Sequence, residues 1–382
     1  MSVYYVPSIN IMGAGSLKEL GPAISDLGFK KALVVTDKFL VSCGVVEKVT
    51  NILKSENIEF VVYDEVLPNP TCEVVNNGLI ELKRHECDFV VSIGGGSPQD
   101  TAKAVALLAT NGGDIKSFEG VNKTNKKALP IVAVNTTAGT SSEVTINYVI
   151  TDEDRHVKMV MVDKNSLATV TVNDPELMVN KPADLTAATG MDALTHAIET
   201  LVTPGAYAVT DATALDAVKI IFDYLPRAVK NGHDIEAREQ MVYAIFLTGI
   251  AFSNAGLGNV HAMAHQLGGV YNLPHGVCNA MLLPHVEEVN AKAVPEKFVS
   301  IAKVLDYDVN GKSAEECASY VIERIQELSK EVGIPSTLDE LGVKDVDFDL
   351  LAENAIKDAC APGNPVEFSK DQIIDLFKKI AQ

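Results

Sequence analysis

The sequence predicts two domains, an α/β domain with a parallel sheet followed by an all-helical domain. At 382 residues the chain exceeds the size at which a single hydrophobic core keeps growing, so two domains are expected. In the first half, short β-branched runs alternate with segments of helical length, a pattern typical of a parallel sheet with helices on both faces. From residue 182 onward the pattern is helical to the end. We therefore expect an α/β domain over residues 1–181 and a helical domain over residues 182–382.

The individual elements follow from local patterns. The predicted strands are "KALVVTD" (31–37), "EFVVYDE" (59–65), "FVVSIGGGS" (89–97) and "PIVAVNTT" (130–137), and the predicted helices between them cover 45–55, 72–86 and 98–110. Two further runs, "VTINYVITD" (144–152) and "VKMVMVD" (157–163), are joined by the polar "EDRH" and predict a hairpin. The longest apolar run, "MVYAIFLTGIAF" (241–252), is too short to span a bilayer and predicts a buried helix.

The amino-acid composition indicates which kinds of partner the protein can bind and in which compartment it is found. The formal net charge of −19 argues against a nucleic acid, whose phosphate backbone attracts a basic protein face. Six scattered cysteines without a CxxC pair fit reduced thiols in the cytosol. The start "MSVYYVPSIN" has no basic region followed by an apolar one, so no secretory signal is visible. We expect a cytoplasmic protein that binds small molecules and neither nucleic acid nor a membrane.

Two loops have the composition of phosphate-binding segments. "SIGGGSPQDTAK" (92–103) leaves a strand through three glycines and enters a helix, with Ser97 expected at the N-cap and Asp100 as the third helical residue. Glycines at the end of a parallel strand let backbone amides approach a phosphate, and a helix N-terminus adds partial positive charge. "NTTAGTSSE" (135–143) also leaves a strand, with small hydroxyl residues. The alternative for the glycine loop is a tight turn with a capping box.

A third glycine segment and two charged residues are weaker candidates. "GAG" at 13–15 lacks the third glycine of a dinucleotide fingerprint, follows no convincing strand and is expected to be a turn. Asp37, at the end of the first predicted strand, can accept the ribose hydroxyls of NAD and repel the 2′-phosphate of NADP. Its alternative role is a helix cap, since the Rossmann order places the acidic residue after the glycine loop. Lys158 on the hairpin either reaches a phosphate or is solvated.

Histidine and carboxylate side chains concentrate in the second half. "GMDALTHAIE" (190–199) places Asp192 and His196 four residues apart, on one face of a helix. Three of the eight histidines, His261, His265 and His275, lie within residues 256–276; the first is expected to open a helix and the last to lie in the loop after it.

These residues together describe a metal site. A carboxylate with three or four imidazoles and no thiolate suits Fe(II), Zn(II) or Mn(II), with an open position for substrate. The alternative for any lone helical histidine is a structural role. The HxxxH spacing at 261–265 has alanine after the first histidine and lacks the glutamate base of a metalloprotease.

The motifs together carry a family resemblance. "VVTDK", "GGGSPQDTAK", "TTAGT", "EVTINYVITDE", "ATGMDALTHAIE", "GLGNVHAMAHQLGG" and "PHGVCNAMLLPHV" occur in an order that resembles the group III, iron-dependent alcohol dehydrogenases over the whole chain. Within that family the sequence is most similar to the lactaldehyde reductase branch. The resemblance implies a dehydroquinate synthase-like fold whose first domain has a Rossmann-like sheet, with NAD as cofactor. It also implies Fe²⁺ as the metal, with Zn²⁺ or Mn²⁺ as alternatives, and a homodimer or larger homo-oligomer.

The resemblance also implies roles for individual residues. The implied metal ligands are Asp192, His196, His261 and His275, with His265 beside the metal as a catalytic residue. The implied dinucleotide contacts are Asp37, Asn69, Gly95, Gly96, Ser97, Thr136, Thr137 and Lys158. The implied substrate residues are Asn147, Phe252, Leu257 and Cys360. Two positions near the expected pocket depart from the lactaldehyde reductase pattern, Gln266 where proline is usual and Val366 where arginine is usual.

The expected reaction interconverts small primary alcohols or diols with aldehydes, of the lactaldehyde and 1,2-propanediol type. A divalent cation polarises the oxygen of the alcohol or aldehyde, and the nicotinamide exchanges the hydride. His265 either shuttles the proton or orients the substrate. Alternatives are a 1,3-propanediol, methanol or butanol dehydrogenase of the same family, a metal-dependent lyase or hydrolase of the dehydroquinate synthase type, and a non-catalytic nucleotide sensor. The apolar Phe252 and Leu257 favour a small neutral alcohol over the lyase or hydrolase.

Overall fold

The computed structural model describes residues 2–155 and 157–382. The chain divides into two compact units, Met1–Val179 and Asn180–Gln382, so the junction lies two residues before the boundary expected from the sequence. His156, the last residue of the predicted "EDRH" turn, lies outside the described residues.

The first unit contains two sheets. Its strands are β1 Ile9–Met12, β2 Lys31–Val35, β3 Glu59–Tyr63, β4 Phe89–Gly94, β5 Gly120–Val121, β6 Ile131–Asn135, β7 Asn147–Asp152, β8 Val157–Val162 and β9 Val170–Asn173. Six of them form a parallel sheet in the order β1-β9-β6-β4-β2-β3. The other three form a second sheet in the order β5-β8-β7, in which β7 and β8 pair antiparallel. The predicted parallel sheet and the predicted hairpin are both present.

Two strands of the main sheet are not predicted from the sequence. These are β1 and β9, which pair with each other in parallel and are only four residues long. A run of that length is too short for an alternating pattern to be distinguished. The expectation that the "GAG" segment follows no strand is wrong, because β1 ends at Met12 and Gly13 comes next. The expected turn is there, with Gly13 and Gly15 at positive φ angles of 109° and 72°.

Helices cover both faces of the parallel sheet. They are α1 Leu20–Ser25, α2 Lys38–Ser42, α3 Val45–Ser55, α4 Cys72–Arg84 and α5 Gly96–Asn111. Successive side chains of a strand point to opposite faces, and β2 shows the result. Leu33 and Val35 belong to the apolar cluster that includes residues of α4 and α5, whereas Ala32 and Val34 belong to the cluster that includes residues of α1 and α3. The parallel sheet is therefore packed between two hydrophobic cores, one on each face.

The second unit is helical throughout its described residues. Its helices are α6 Ala183–Val202, α7 Ala208–Lys230, α8 Ile235–Ala255, α9 Asn259–Tyr271, α10 His275–Asn290, α11 Pro295–Val304, α12 Ala314–Glu331, α13 Phe348–Lys357 and α14 Lys370–Lys379. Every residue of α6 from Met191 to Val202 is buried, which makes this helix the centre of the unit. The apolar run at 241–252 lies within α8 and is largely buried, as predicted.

Among the described helices, none by itself is long and apolar enough to cross a membrane. Helices α8 and α9, which meet at a bend of 103°, satisfy the criteria of length and composition only as a pair.

Candidate functional site

Three helices of the second unit bring the predicted metal ligands together. Asp192 and His196 lie on the buried α6, and His261 is the third residue of α9. His275 is the first residue of α10, so its predicted placement in a loop is wrong. The segment "NLPHGV" has the composition of a turn, but its Pro274 is the N-cap of α10, with a φ of −62° that suits the start of a helix.

The ligand atoms of Asp192, His261 and His275 lie within 4.8 Å of one another, close enough to share a small cation, and His196 lies outside this group but near Asp192. Oδ1 of Asp192 lies 3.5 Å from Nε2 of His275, 3.8 Å from Nε2 of His261 and 4.0 Å from Nδ1 of His196. Two ligand atoms that share an ion at bonds of about 2.0–2.2 Å in tetrahedral geometry lie about 3.4 Å apart. Nδ1 of His196 is also buried without a hydrogen-bond partner among the described residues, which is costly unless a ligand satisfies it. The donor set fits a divalent ion.

A buried carboxylate orients one of these imidazoles. Nδ1 of His261 forms a short hydrogen bond with Oε2 of Glu199, and Oε1 of Glu199 accepts the amide N–H of Val260 at 2.7 Å. Burial lowers the pKa of His261 well below its ordinary value, and it raises the pKa of Glu199 to about 7. A neutral His261 that donates its Nδ1 proton to Glu199 presents the lone pair of Nε2 to the cluster.

Asn279 lies in the middle of the same cluster. Its Nδ2 donates to Oδ1 of Asp192 at 2.7 Å and lies 3.1 Å from Nε2 of both His261 and His275. One amide group has two hydrogens for these three acceptors. At least one of the three acceptor atoms therefore receives no hydrogen from Asn279, and its lone pair is available to a cation. Sequence reasoning missed both Glu199 and Asn279, although Glu199 lies three residues after His196 and Asn279 four after His275, spacings that share a helix face.

His265 lies beside the cluster and is bonded elsewhere. Its ring stacks on that of His275 at a centroid distance of 5.4 Å, and its Nδ1 lies 2.9 Å from Oδ2 of Asp358. Asp358 is a residue that sequence reasoning missed, because it lies 93 residues from His265 and follows no local spacing. Cys360 is half-buried near the same carboxylate, and its backbone N–H donates to Oδ1 of Asp358 at 2.9 Å.

The two apolar residues expected in the substrate pocket are buried. The ring of Phe252 stacks on His196 at a centroid distance of 4.3 Å. Leu257 lies just before α9. Both are therefore in the helical unit, and Phe252 is in direct contact with the cluster.

In the first unit, the two glycine- and threonine-rich loops touch each other. A Cβ atom on Gly95 would lie 2.9 Å from Oγ1 of Thr137, and one on Gly96 would lie 3.2 Å from Cγ2 of Thr140. A larger residue at either position would force the threonine side chain to shift. The backbone amides at the start of α5 are half-buried beside the second loop. Oγ1 of Thr136 is buried without a hydrogen-bond partner among the described residues. A helix N-terminus beside glycines and a buried hydroxyl has the chemistry that suits an anion such as a phosphate.

The predicted start of α5 is wrong by two residues. The helix begins at Gly96 with Gly95 as its N-cap, so Ser97 is the second helical residue. The capping box of the alternative interpretation is absent: Gly95 makes no side-chain cap, and Asp100 accepts from Oγ of Ser142 at 2.6 Å and from the amide of Val149 at 3.0 Å.

Four other residues of the first unit were predicted to contact the dinucleotide or the substrate. Asp37 is the N-cap of α2, and its Oδ1 accepts the amide N–H of Leu40 at 2.8 Å. The role of helix cap, given above as the alternative for Asp37, is therefore present. Asn69 is exposed and adopts a left-handed backbone with a φ of 56°. Lys158 lies on β8, and Asn147 is the first residue of β7. Oδ1 of Asn147 is buried without a hydrogen-bond partner in the described structure.

A buried lysine that sequence reasoning missed links the glycine loop to Asn147. Nζ of Lys103, on α5, donates to the carbonyl oxygen of Asn147 at 2.7 Å and to that of Thr145 at 2.9 Å. Burial lowers the pKa of Lys103 to about 8, against the opposing charges of Asp100 and Glu143. The signal in the sequence is a lysine inside the otherwise apolar run that follows the glycines.

Two family models together match most of the chain. A carboxylate with several imidazoles and no thiolate is a donor set typical of a divalent-metal enzyme. The family model described as iron-containing alcohol dehydrogenase matches residues 7–175, and the model of the C-terminal part of that family matches residues 186–381. The chain belongs to the iron-containing alcohol dehydrogenase family and is an oxidoreductase. The resemblance inferred from the sequence motifs is confirmed.

Relatives with different names are almost equally similar. The chain is 48% identical to alcohol dehydrogenase 4 of Schizosaccharomyces pombe over 99% of this chain and 89% of the relative. It is 47% identical to the NAD-dependent methanol dehydrogenase of Bacillus methanolicus, over 99% of each chain. It is 46% identical to the lactaldehyde reductase of Escherichia coli K12, over 96% of each chain. Identity therefore does not select one substrate within the family.

The fold class is confirmed by a solved structure. The crystal structure of a 1,3-propanediol oxidoreductase superposes with a TM-score of 0.97 and 46% identity, covering 100% of both chains. The parallel-sheet domain followed by a helical domain is thus the fold of this family.

Proposed function

We propose that this protein is an NAD-dependent dehydrogenase of small primary alcohols or diols that binds Fe²⁺ through Asp192, His196, His261 and His275, with Zn²⁺ or Mn²⁺ as alternative ions. The observation that carries the proposal is that nitrogens of all three histidines lie 3.5–4.0 Å from one oxygen of Asp192. A cation in this position would act as a Lewis acid towards the oxygen of an alcohol or an aldehyde.

The surrounding side chains hold the ligands and handle the proton. Glu199 fixes the orientation of His261, and Asn279 bridges Asp192 to two imidazoles. His265, which donates Nδ1–H to Asp358, keeps Nε2 free to accept the hydroxyl proton of the alcohol. A role for His265 outside the metal ligands leaves a coordination position open, as a catalytic ion requires.

The first unit would bind the dinucleotide. The half-buried amides of Gly95, Gly96 and Ser97 at the start of α5 suit the pyrophosphate, with Thr136 and Thr137 of the adjoining loop as further donors. Asp37 keeps one carboxylate oxygen for the cap of α2, and the other is suited to the ribose hydroxyls. Asn69 and Lys158 are proposed as further contacts, and NAD is also the cofactor in the name of the methanol dehydrogenase relative.

The substrate is proposed to be a small neutral aldehyde or alcohol of the lactaldehyde and 1,2-propanediol type. In the helical unit, Phe252 and Leu257 supply apolar surface and Cys360 adds a half-buried thiol. Asn147 of the first unit is proposed as a further substrate residue on the family resemblance. A small apolar lining favours short carbon chains over phosphorylated compounds.

We further propose a cytoplasmic homo-oligomer of at least two chains. All six cysteines are free thiols, which fits a reducing compartment. The oligomeric state rests on the family resemblance, and sedimentation equilibrium of the purified protein tests it.

The experiment for the proposed function is an assay of NADH oxidation with glycolaldehyde, lactaldehyde and propionaldehyde, with and without added Fe²⁺. We expect metal-dependent oxidation of NADH with at least one of the three. A protein that binds iron and NADH but oxidises no NADH with any aldehyde, and reduces no NAD with the matching alcohols, would contradict the proposal.

A further inference from the structure

The helical unit contains a second group of metal-ligating side chains. His265, Asp358 and Cys360 each offer one ligand atom, and these atoms lie within 4.8 Å of one another. None of the three belongs to the proposed set of iron ligands. The side chains of His265 and Asp358 are 12% and 8% exposed, and Cys360 is partly buried beside them.

The three side chains are held in place before any ion binds. His265 is fixed on α9, and its Nδ1 lies 2.9 Å from Oδ2 of Asp358. Asp358 follows the last residue of α13, and its Oδ1 accepts the backbone N–H of Cys360 at 2.9 Å. The amide of Gln266 also donates to Oδ2 of Asp358, at 3.3 Å. The carboxylate is therefore the centre of a small network that keeps the imidazole and the thiol near each other.

We propose that His265, Asp358 and Cys360 form a second cation site, selective for a thiophilic divalent ion such as Zn²⁺. One imidazole, one carboxylate and one thiolate make a mixed N, O and S donor set, which suits Zn²⁺ with water completing a tetrahedron. The proposed iron site has no sulfur donor, so the two sites differ in the softness of their ligands.

Binding at this site involves one proton transfer from the thiol. Burial and the neighbouring Asp358 raise the pKa of Cys360 well above its ordinary value, so the free protein holds the thiol protonated. When the metal–sulfur bond forms, the S–H bond breaks and its proton passes to solvent, because a coordinated thiol is deprotonated. His265 binds through Nδ1, the nitrogen that faces Asp358. The proton that Nδ1 shared with this carboxylate passes through solvent to Nε2 of the same ring, so the net release remains the one thiol proton.

An ion at this site would inhibit the enzyme. It would remove the free imidazole lone pair that we assign to the proton step and would occupy the thiol at the substrate pocket. This consequence rests on the proposed function, whereas the binding itself does not.

The test uses Co²⁺ as a spectroscopic probe of the full-length, metal-depleted protein. Thiolate-to-cobalt charge transfer gives a near-ultraviolet band, and the proposed iron site cannot produce it because it has no thiolate. We expect the band in the wild type and in Asp192→Ala, where the iron site is disrupted. Cys360→Ala should lack the band, and Asp358→Asn should show it only at higher Co²⁺ concentration. Cys43→Ala, which removes an exposed cysteine of the other unit, should keep it.

Two results would overturn the second site. One is the absence of the band in the folded wild type at saturating Co²⁺, and the other is a band that survives in Cys360→Ala. The functional consequence is tested separately by adding Zn²⁺ to the iron-loaded enzyme, where inhibition should be weaker in Cys360→Ala relative to that variant's own activity. If the cobalt band appears but zinc does not inhibit the enzyme, the second cation site exists and the role of His265 in the proton step is contradicted.

Discussion

Gly276 on α10 packs against the carbonyl oxygen of Ala188 on α6, so closely that a Cβ atom on Gly276 would lie 2.2 Å from that oxygen. The same Cβ would lie 3.3 Å from Cβ of Asp192. The missing side chain therefore lets the start of α10 rest on α6, and this contact places Nε2 of His275 3.5 Å from Oδ1 of Asp192.

Gly276→Ala should push α10 away from α6 and weaken iron binding. The overlap is with backbone, which cannot rotate aside, so we expect a loss of about 1–3 kcal/mol in the free energy of unfolding together with a lowered iron content. Gly269→Ala is the matched control, since it lies in α9 with no atom within 4 Å of the added Cβ. That variant should gain up to about 1 kcal/mol from helix propensity. Equal iron content and stability in both variants would show that the close contact does not position His275.

Glu199→Gln should reduce iron affinity by about 10- to 100-fold, the usual effect of removing a carboxylate that orients a metal-binding histidine. An amide can donate to Nδ1 of His261 and so favour the tautomer that carries its proton on Nε2. Competition with a chromogenic chelator measures the affinity. Glu143→Gln, which alters a similarly buried carboxylate of the other unit, is the control and should leave the iron affinity unchanged. An unaltered affinity in Glu199→Gln would exclude the orienting role.

Asp37→Gly should raise the use of NADP relative to NAD. Removing one negative charge near the 2′-phosphate relieves about 1 kcal/mol or more of repulsion, which is a change in preference of about fivefold or more. Glycine is chosen because it replaces an N-cap aspartate at a cost of only a few tenths of a kcal/mol. The measurement is kcat/KM with each cofactor. Asp114→Gly removes another N-cap of the same unit and should not change the preference. The same ratio in wild type and Asp37→Gly would remove Asp37 from the ribose site.

Glu143→Gln should change how stability depends on pH. Burial raises the pKa of Glu143 to about 7, against the opposing effects of Asn173 and Lys103. Between the ordinary pKa of 4.5 and about 7, the folded state holds a proton that the unfolded state releases, so stability falls as pH rises through this window. The variant has no such proton. Its free energy of unfolding relative to wild type should therefore increase from pH 5 to pH 8, by up to about 3 kcal/mol.

Denaturant unfolding at several pH values measures this difference. Glu47→Gln, on the exposed side of α3, should show no such trend relative to wild type. A constant difference between Glu143→Gln and wild type across the range would mean that Glu143 is ionised in the folded state.

Local periodicity predicted most of the fold. Strands β2, β3, β4 and β6 are β-branched runs bounded by turn residues, and the helices between them have clear lengths. Strands β1 and β9 were not predicted, because a run of four residues is too short to show an alternation of apolar and polar side chains. The start of α5 was misplaced because Ser97 fits a capping rule, while in the fold Asp100 is bonded to the segment that leads into β7.

The candidate site was predictable where its residues share a helix. Asp192 and His196 follow from their spacing of four residues, and Glu199 and Asn279 lie on the same helix faces as predicted ligands. Asp358 had no such signal, because the folding of α9 against α13 alone brings it to His265. Long-range pairs of this kind need the tertiary structure.

We expect His261 and His275 to bind the metal and His265 not to bind it, and the iron content of three alanine variants distinguishes these roles. Each variant is purified, reloaded with Fe²⁺ under the same conditions and analysed for bound iron, with circular dichroism to show that it is folded. We expect His261→Ala and His275→Ala to lose most of the iron, since each removes a nitrogen that lies 3.5–3.8 Å from Oδ1 of Asp192. His265→Ala should keep its iron and show a lowered turnover. A folded His265→Ala protein as depleted of iron as the other two would contradict the account and place His265 among the ligands.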